Sequence, residues 1–447
     1  MSLSLLWFMV LCEIILWIVL VIHFSKGFRY FLNIHSVVIS LIVLYSLPST
    51  ILMLQDKITM NNAEILILFS TIYIGLIGYT FGVLFFKRLF FFKKRKIAKL
   101  SKIINALFWL TYKYRYVLLF IICIVLFHWG FMPRGMSYRQ SVTYRMETPG
   151  VMQYFNLLIP YVFSVLMVAM ISIVGDLKKY KKLSWLSYLF IILVVLSIIG
   201  GHRIWIIALF ACLIISFQPY LKRRHNLLIV IPVTIMILVI SGGVRYARVG
   251  ESFTENTNRF YEYFLNTKNM TFTDLMWGWG MNSITAPFST YITLIKNIPQ
   301  NIKYDYSAYI KDFSLLIPTI IYSERPLPYN KWYVKTFEPE IFQRGGGKTF
   351  YVLGFGYLFA GPVGVFIHLF LCGILFEFLN KFFKKIGGAA GVFLYSYFFI
   401  QFFRFVVGCG FIVFIKTSLI LNFFIPITLL FLFTLVVNLL IFGKFKF

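Results

Sequence analysis

Arginine is the residue whose type and spacing in this chain best fit a chemical role. Arg134, Arg139 and Arg145 follow one another at intervals of five and six residues within the short segment 133–150. A guanidinium binds phosphate through a planar fork of N–H donors and stays charged at any physiological pH. These arginines therefore predict a binding site for a phosphate or diphosphate group. The predicted set also contains Arg203, Arg245, Arg248, Arg325, Arg344 and Lys348.

Three side chains near these cations in the sequence are candidates for a catalytic base, namely Glu324, Asp274 and His202. Such a base would accept the proton of an attacking hydroxyl group. Glu324 is the leading candidate because it adjoins Arg325 in the segment 318–326, which also carries a family resemblance. The alternative is an ion pair between these two residues that only orders the loop. Other arginines would then pair with nearby glutamates or bind lipid headgroups without specificity.

Metal, cofactor and nucleotide chemistry find no support in the sequence. The five cysteines stand singly in apolar segments, and the six histidines show no metal-site spacing. There is no glycine-rich phosphate loop, no dinucleotide-binding fingerprint and no nucleophile elbow. We therefore expect neither a metal ion nor a cofactor.

The elements that must position the arginines are membrane-spanning helices. The chain is 60% hydrophobic and only 13% charged, and it contains apolar runs of about 20 residues, enough to cross a bilayer as a helix. The predicted fold class is all-α, with a single transmembrane domain over residues 1–447. Eleven spans are predicted, at 3–23, 34–54, 65–86, 116–132, 151–175, 185–200, 204–219, 226–242, 350–376, 387–403 and 419–442.

The orientation of these spans follows from lysine and arginine. Both concentrate in alternate connections, at 26–29, 87–102, 178–182, 222–224 and 381–385. Because cytoplasmic loops are rich in positive charge, these connections predict the cytoplasmic face, with the amino terminus outside. Topology and anionic lipid headgroups explain most of the net charge of +28, so no nucleic-acid partner is required. The segment 87–115 mixes basic and aromatic residues and predicts a cytoplasmic interfacial helix.

The predicted phosphate-binding arginines lie on the opposite face, away from the cytoplasm. They belong to the segment 133–150, to a tight Gly-Gly-His-Arg turn at 200–203 and to a long loop at 243–349. Apolar residues at helical spacing around Tyr291 and Phe313 predict amphipathic helices within this long loop. Three loops distant in sequence thus offer arginines to one surface.

These features together resemble the Wzy-type O-antigen and oligosaccharide repeat-unit polymerases. The resemblance rests on PTIIYSERP at 318–326, on Trp332, on the glycines at 345–347 and on GFGYLFAGPVG at 354–364. The Gly-Gly-His-Arg turn and the late periplasmic loop are also similar. The chain departs from the family pattern at Thr319 and near Tyr357, whereas Glu324, Arg325 and Arg203 match it.

The resemblance implies a glycosyltransferase of the inner membrane with a GT-C-like polymerase and ligase architecture. It would move a growing glycan from undecaprenyl diphosphate to a sugar hydroxyl of a new lipid-linked repeat unit. Its partners would be undecaprenyl-diphosphate-linked oligosaccharides, membrane lipids and a chain-length regulator of the Wzz type. Two alternatives stay open: an O-antigen ligase of similar architecture, and a lipid-linked oligosaccharide flippase or transporter.

Overall fold

The structure, a computed structural model, describes eight longer stretches of the chain. These are residues 3–25, 34–54, 58–89, 94–118, 282–317, 324–343, 347–387 and 410–442, with a few shorter pieces and isolated positions between them. Every regular element in the described residues is a helix, and none is a strand. The predicted all-α class is confirmed for this part of the chain.

Eleven described helical elements are numbered here in chain order. They are α1 Leu3–Ser25, α2 Ile34–Leu54, α3 Asn62–Leu89, α4 Lys94–Lys113, α5 Asn282–Asn297, α6 Ala308–Ser314, α7 Tyr329–Phe337, α8 Pro339–Gln343, α9 Val352–Ile386, α10 Phe411–Phe414 and α11 Ile425–Phe442. A π-helical segment, Ile415–Phe424, joins α10 to α11 without a break. Helices α5 and α6 form where amphipathic helices were predicted.

Three of the described helices are long and apolar enough to cross a membrane: Asn62–Leu89, Val352–Ile386 and Phe411–Ile441. They overlap the predicted spans at 65–86, 350–376 and 419–442. Helices α1 and α2 coincide with the first two predicted spans to within two residues. The predicted spans between 122 and 242 lie outside the described residues apart from single positions, so the number eleven stays a prediction.

The chain divides into two compact units. The first contains Met1–Phe92, Met281–Phe382 and Phe402–Ser418, and the second contains Lys93–Gly280, Phe383–Gln401 and Leu419–Phe447. The boundary between Gly280 and Met281 divides the predicted loop 243–349 between the two units. Its described helices α5 to α8 belong to the first unit.

Within the first unit, glycines let α3 and α9 approach at backbone distance. A Cβ atom added to Gly82 would lie 2.1 Å from the carbonyl oxygen of Phe370, and one added to Gly373 would lie 2.3 Å from that of Tyr79. Small residues of this kind are common where membrane helices touch. The ring pairs advance by four residues on both helices, from Phe81 with Phe366 to Phe85 with Phe370, so α3 and this part of α9 run parallel.

Helix α2 runs in the opposite direction. His35, at its start, hydrogen-bonds Tyr79 late in α3 at 2.8 Å and Glu377 late in α9 at 2.7 Å. The last turn of α3 carries Lys87 and Arg88, and Lys381 of α9 lies over the ring of Phe86. The end of the bundle that holds these three cations is called the basic end.

Helix α9 is bent rather than straight, which differs from the single span predicted at 350–376. Ala360 and Gly361 leave helical geometry, and Gly361 has a φ of 60°, a conformation that favours glycine. Pro362 follows and lacks the N–H group that would have bonded the carbonyl of Leu358. That carbonyl instead accepts the backbone N–H of Asp305 at 2.8 Å. The bend thus creates a docking point for the loop.

The bend folds the first arm of α9, residues 352–359, back on the second arm, residues 362–386. A Cβ atom added to Gly364 would lie 2.1 Å from the carbonyl oxygen of Gly356, although residues eight apart in a straight helix are separated by about 12 Å. Gly356 and Gly364 of the GFGYLFAGPVG segment therefore allow the two arms to touch at backbone distance.

The second unit is built around α4. Its Thr111 and Tyr114 side chains hydrogen-bond Thr434 at 3.0 Å and Asn438 at 2.8 Å, both in α11. Ser101 donates to the carbonyl of Ile386 at 2.6 Å. The residues of α4 facing away from these contacts include Ile103 and Trp109, which are about half exposed. An amphipathic helix thus occupies most of the segment 87–115, and its place at the cytoplasmic interface stays a prediction.

Candidate functional site

The candidate site lies in the first unit, where α6 packs against the bend of α9. The hydroxyl group of Tyr309 in α6 forms a hydrogen bond with Nδ1 of His368 at 2.8 Å. Its ring meets the edges of Phe355 and Phe359 at centroid distances of 5.1 and 4.9 Å. Tyr329 of α7 donates to the carbonyl of Ala308 at 3.1 Å. These contacts fix one face of α6 against both arms of the bent helix.

A buried carboxylate joins α6 to the start of α10. Asp312 is fully buried, and its Oδ2 atom accepts the backbone N–H groups of Ile412 at 2.7 Å and Val413 at 3.4 Å. A carboxylate in this position satisfies free N–H groups and complements the positive end of the helix dipole. Gly410 provides the space, because a Cβ atom there would lie 2.6 Å from both carboxylate oxygens. Asp312 thus anchors α6 to the start of α10.

Burial raises the pKa of Asp312 from 3.8 to about 6, although the two backbone hydrogen bonds act in the opposite direction. The folded state therefore holds the proton more tightly than the unfolded chain does. Stability conferred by this proton is present below about pH 4 and is lost as the pH rises to about 6.

We expect this pH dependence to disappear when Asp312 becomes asparagine, which keeps an acceptor for Ile412 but does not ionise. As the pH rises from 4 to 7, the melting temperature of the wild-type protein should fall relative to that of Asp312→Asn. The shift of about two pH units corresponds to about 3 kcal/mol. Melting curves of both proteins in the same detergent at several pH values measure it. Parallel pH profiles of the two proteins would contradict the assignment.

Two cations converge on the carboxyl-terminal end of α6. The Lys416 ammonium donates to the carbonyl of Leu315, and the Arg325 guanidinium donates to that of Ile317 at 3.5 Å. Helix ends of this kind attract cations because their last carbonyls are free. The charge of Arg325 also acts on Lys416. Arg325 and Lys416 are called the cation pair.

The cation pair has spare positive charge. Among the described residues, no carboxylate forms an ion pair with either member, and both side chains are only half buried. The charge of Arg325 acts on Lys416, and an anion bound to both would offset the repulsion between the two cations. The pair therefore has the charge and access needed to bind a phosphate or diphosphate group.

The predicted site residues have different surroundings. Arg325 belongs to the cation pair, and Glu324 beside it is exposed. Lys348 forms an ion pair with Glu338, so its charge is already matched. The remaining predicted residues, Asp274, His202, Arg203, Arg134, Arg139, Arg145, Arg245, Arg248 and Arg344, lie outside the described residues.

Sequence reasoning missed Lys416 and Asp312. A signal existed for Lys416, since it is the single charged residue in the stretch 410–442. Asp312 gave no such signal, because an acidic residue in an amphipathic loop helix reads as part of the exposed face. No group of three side chains suited to a metal ion occurs among the described residues.

A second polar cluster lies at the basic end. The buried His35–Glu377 pair is extended by Asn380, whose amide donates to the Glu377 carboxylate at 3.2 Å. Lys381 lies 3.9 Å from the same carboxylate. This cluster ties α2 to α9. Glu377 and Lys381 follow Gly361 of the bend by 16 and 20 residues of helix, or about 24 and 30 Å.

Comparison with known proteins identifies the family but not its function. The model of a domain of unknown function, DUF8712, matches residues 128–442. This covers most of the chain, which therefore belongs to that family. No curated protein and no solved structure matches the chain.

Proposed function

We propose that this member of the DUF8712 family is a membrane-embedded glycan polymerase. It would transfer a growing glycan from undecaprenyl diphosphate to a sugar hydroxyl of a new lipid-linked repeat unit, on the periplasmic side of a bacterial inner membrane. The observation that carries the proposal is the cation pair, Arg325 and Lys416, held without a carboxylate partner among the described residues. Eleven spans, a GT-C-like architecture and a chain-length regulator as partner belong to the same proposal.

The location of the basic end supports the proposed sidedness. Lys87, Arg88 and Lys381 share this end, and Lys26 and Arg29 directly precede α2, which starts there. Positive charge gathered in this way is typical of the cytoplasmic side. The bend of α9 precedes Lys381 by 20 residues, or about 30 Å of helix, which equals the thickness of a bilayer core. The bend and the cation pair packed near it would then face the periplasm.

The proposed transfer reaction fits the positive charges of the cation pair. The bond between the sugar C1 atom and the diphosphate oxygen breaks, and its electron pair stays with the diphosphate. A bond forms between C1 and the hydroxyl oxygen of the incoming unit, whose proton passes to a base. Fixed cations stabilise the charge that develops on the leaving diphosphate. Arg325 and Lys416 would supply this stabilisation. Arg203 and the other predicted arginines stay candidates from the sequence alone.

Glu324 remains the proposed base. It is exposed and lies next to Arg325 in the chain, so it can reach a substrate bound to the cation pair. Asp274 and His202 are the other candidates. Asp312 is not one of them, because its carboxylate is buried and already accepts two backbone N–H groups.

A transporter of lipid-linked oligosaccharides is the second candidate. The observation that favours it is the buried His35–Glu377 pair, since ionisable groups inside membrane helices commonly belong to ion or proton pathways. An O-antigen ligase is the third, because it would bind the same donor and differ only in its acceptor.

One reconstitution separates these activities. Purified protein in detergent, given a synthetic undecaprenyl-diphosphate-linked repeat unit and a chelator, should form a ladder of products that differ by one repeat unit. Transfer only to an added lipid A core would identify a ligase. Movement of the intact lipid across a proteoliposome without a new glycosidic bond would identify a transporter. Either result would overturn the proposal.

A further inference from the structure

Helix α6 and the turns that flank it present apolar side chains that the described part of the protein leaves uncovered. Four large side chains follow one another at steps of four, three and four residues, which is the spacing of a helical face. They are Tyr306 in the turn before α6, Ile310 and Phe313 within α6, and Ile317 after it, with exposed fractions of 70%, 74%, 59% and 37%. The opposite face holds the buried Ala308, Asp312 and Leu315. The four exposed residues are called the apolar stripe.

The stripe ends at the cation pair. The carbonyl of Ile317, its last member, accepts the Arg325 guanidinium, and the carbonyl of Leu315 accepts Lys416. The stripe begins in the turn before α6 and ends just after the helix. An apolar surface with two positive charges at one end matches an amphiphile that has a chain and an anionic head.

We infer that the apolar stripe and the cation pair together dock an isoprenoid diphosphate, with the chain along α6 and the diphosphate between Arg325 and Lys416. This rests on the proposed function and adds to it a binding surface for the lipid carrier. Charge complementarity distinguishes this occupant from an ordinary phospholipid. A diphosphate brings at least two negative charges to two cations, whereas the headgroup of phosphatidylglycerol brings one.

The anchoring of α6 explains how the surface keeps its shape before the lipid binds. Asp312 fixes the helix to the start of α10, four residues before Lys416, and Tyr309 fixes it to the bend of α9. Both cations and the stripe are therefore carried on elements that are tied to one another. A surface held in this way loses less entropy when the ligand docks.

The test measures binding without catalysis. The full-length protein in phosphatidylcholine nanodiscs is titrated with undecaprenyl diphosphate, which carries no sugar, and separately with inorganic diphosphate. The double variant Ile310→Gln Phe313→Gln should bind undecaprenyl diphosphate at least about tenfold more weakly and inorganic diphosphate within about twofold of wild type. Arg325→Gln should weaken the binding of both ligands. Ile341→Gln, an exposed residue of α8, is the control and should change neither.

Several outcomes would overturn the inference. One is an unchanged affinity of the Ile310→Gln Phe313→Gln variant for undecaprenyl diphosphate. Another is equal competition by phosphatidylglycerol, which would make the surface an ordinary lipid contact. Size-exclusion profiles that match wild type ensure that the variants are folded. The inference and the proposed function fail separately. If binding depends on the apolar stripe but the protein makes no polymer, only the proposed polymerase function is rejected. If polymer forms and the stripe variant binds the lipid as wild type does, only the docking surface is rejected.

Discussion

The double variant Arg325→Gln Lys416→Gln should make no detectable polymer while accumulating in the membrane at the wild-type level. The physical reason is the loss of both charges that would stabilise the departing diphosphate. Removing one fixed donor from a comparable site slows catalysis by about 100- to 1000-fold, so each single variant should lose most of its activity. The rate of repeat-unit addition by purified protein measures this effect.

The variant Arg325→Lys separates the effect of the positive charge from that of the side-chain geometry. It keeps the positive charge but loses the planar fork that can bind two phosphate oxygens at once. We expect it to recover little of the activity lost in Arg325→Gln. Lys303→Gln is the matched control, because it removes an exposed lysine from the same loop and should leave the rate unchanged. Wild-type rates in the double variant would place the diphosphate elsewhere, among the arginines at 134–145 and 203.

The second large effect concerns the helix contact that holds the first unit together. Gly82→Leu should prevent the folded protein from accumulating. Its Cβ atom would lie 2.1 Å from the carbonyl oxygen of Phe370, and a backbone atom cannot give way as a flexible side chain does. Overpacking of a core costs about 1–3 kcal/mol where neighbours can adjust, and here α3 and α9 would have to separate along their length.

Fluorescence-detected size-exclusion chromatography of a tagged protein measures this outcome as the loss of the monodisperse peak. Thr80→Leu is the control, since Thr80 is an exposed residue of the same helix and gains a similar apolar side chain without meeting α9. A normal peak from Gly82→Leu would mean that the close approach of α3 and α9 is not required for folding.

The contributions of sequence and tertiary structure differ from one element to the next. Apolar runs and helical spacing predicted α1 and α2 to within two residues and indicated α5 and α6, because a helix is specified by neighbours three and four positions apart. Arg325 was predicted from its residue type, its place in the long loop and the family resemblance, and its role stays a prediction. The bend in α9 was not predicted, although Gly361 and Pro362 together form a recognised signal for a helix break.

Only the tertiary structure showed which residues act together. Lys416 reaches a carbonyl 101 residues away in the sequence, Asp312 binds a backbone N–H 100 residues away, and His35 meets Glu377 across 342 residues. It also gave Lys348 a partner in Glu338, which its charge alone could not reveal. Local spacing determines each helix and the side chains it carries, whereas contacts between distant helices depend on how their surfaces fit. The sequence by itself therefore determined helices that are long and apolar enough to cross a membrane, and it predicted arginines suited to phosphate. The packing of α6 against α9 and α10 decided which cations meet at the end of α6.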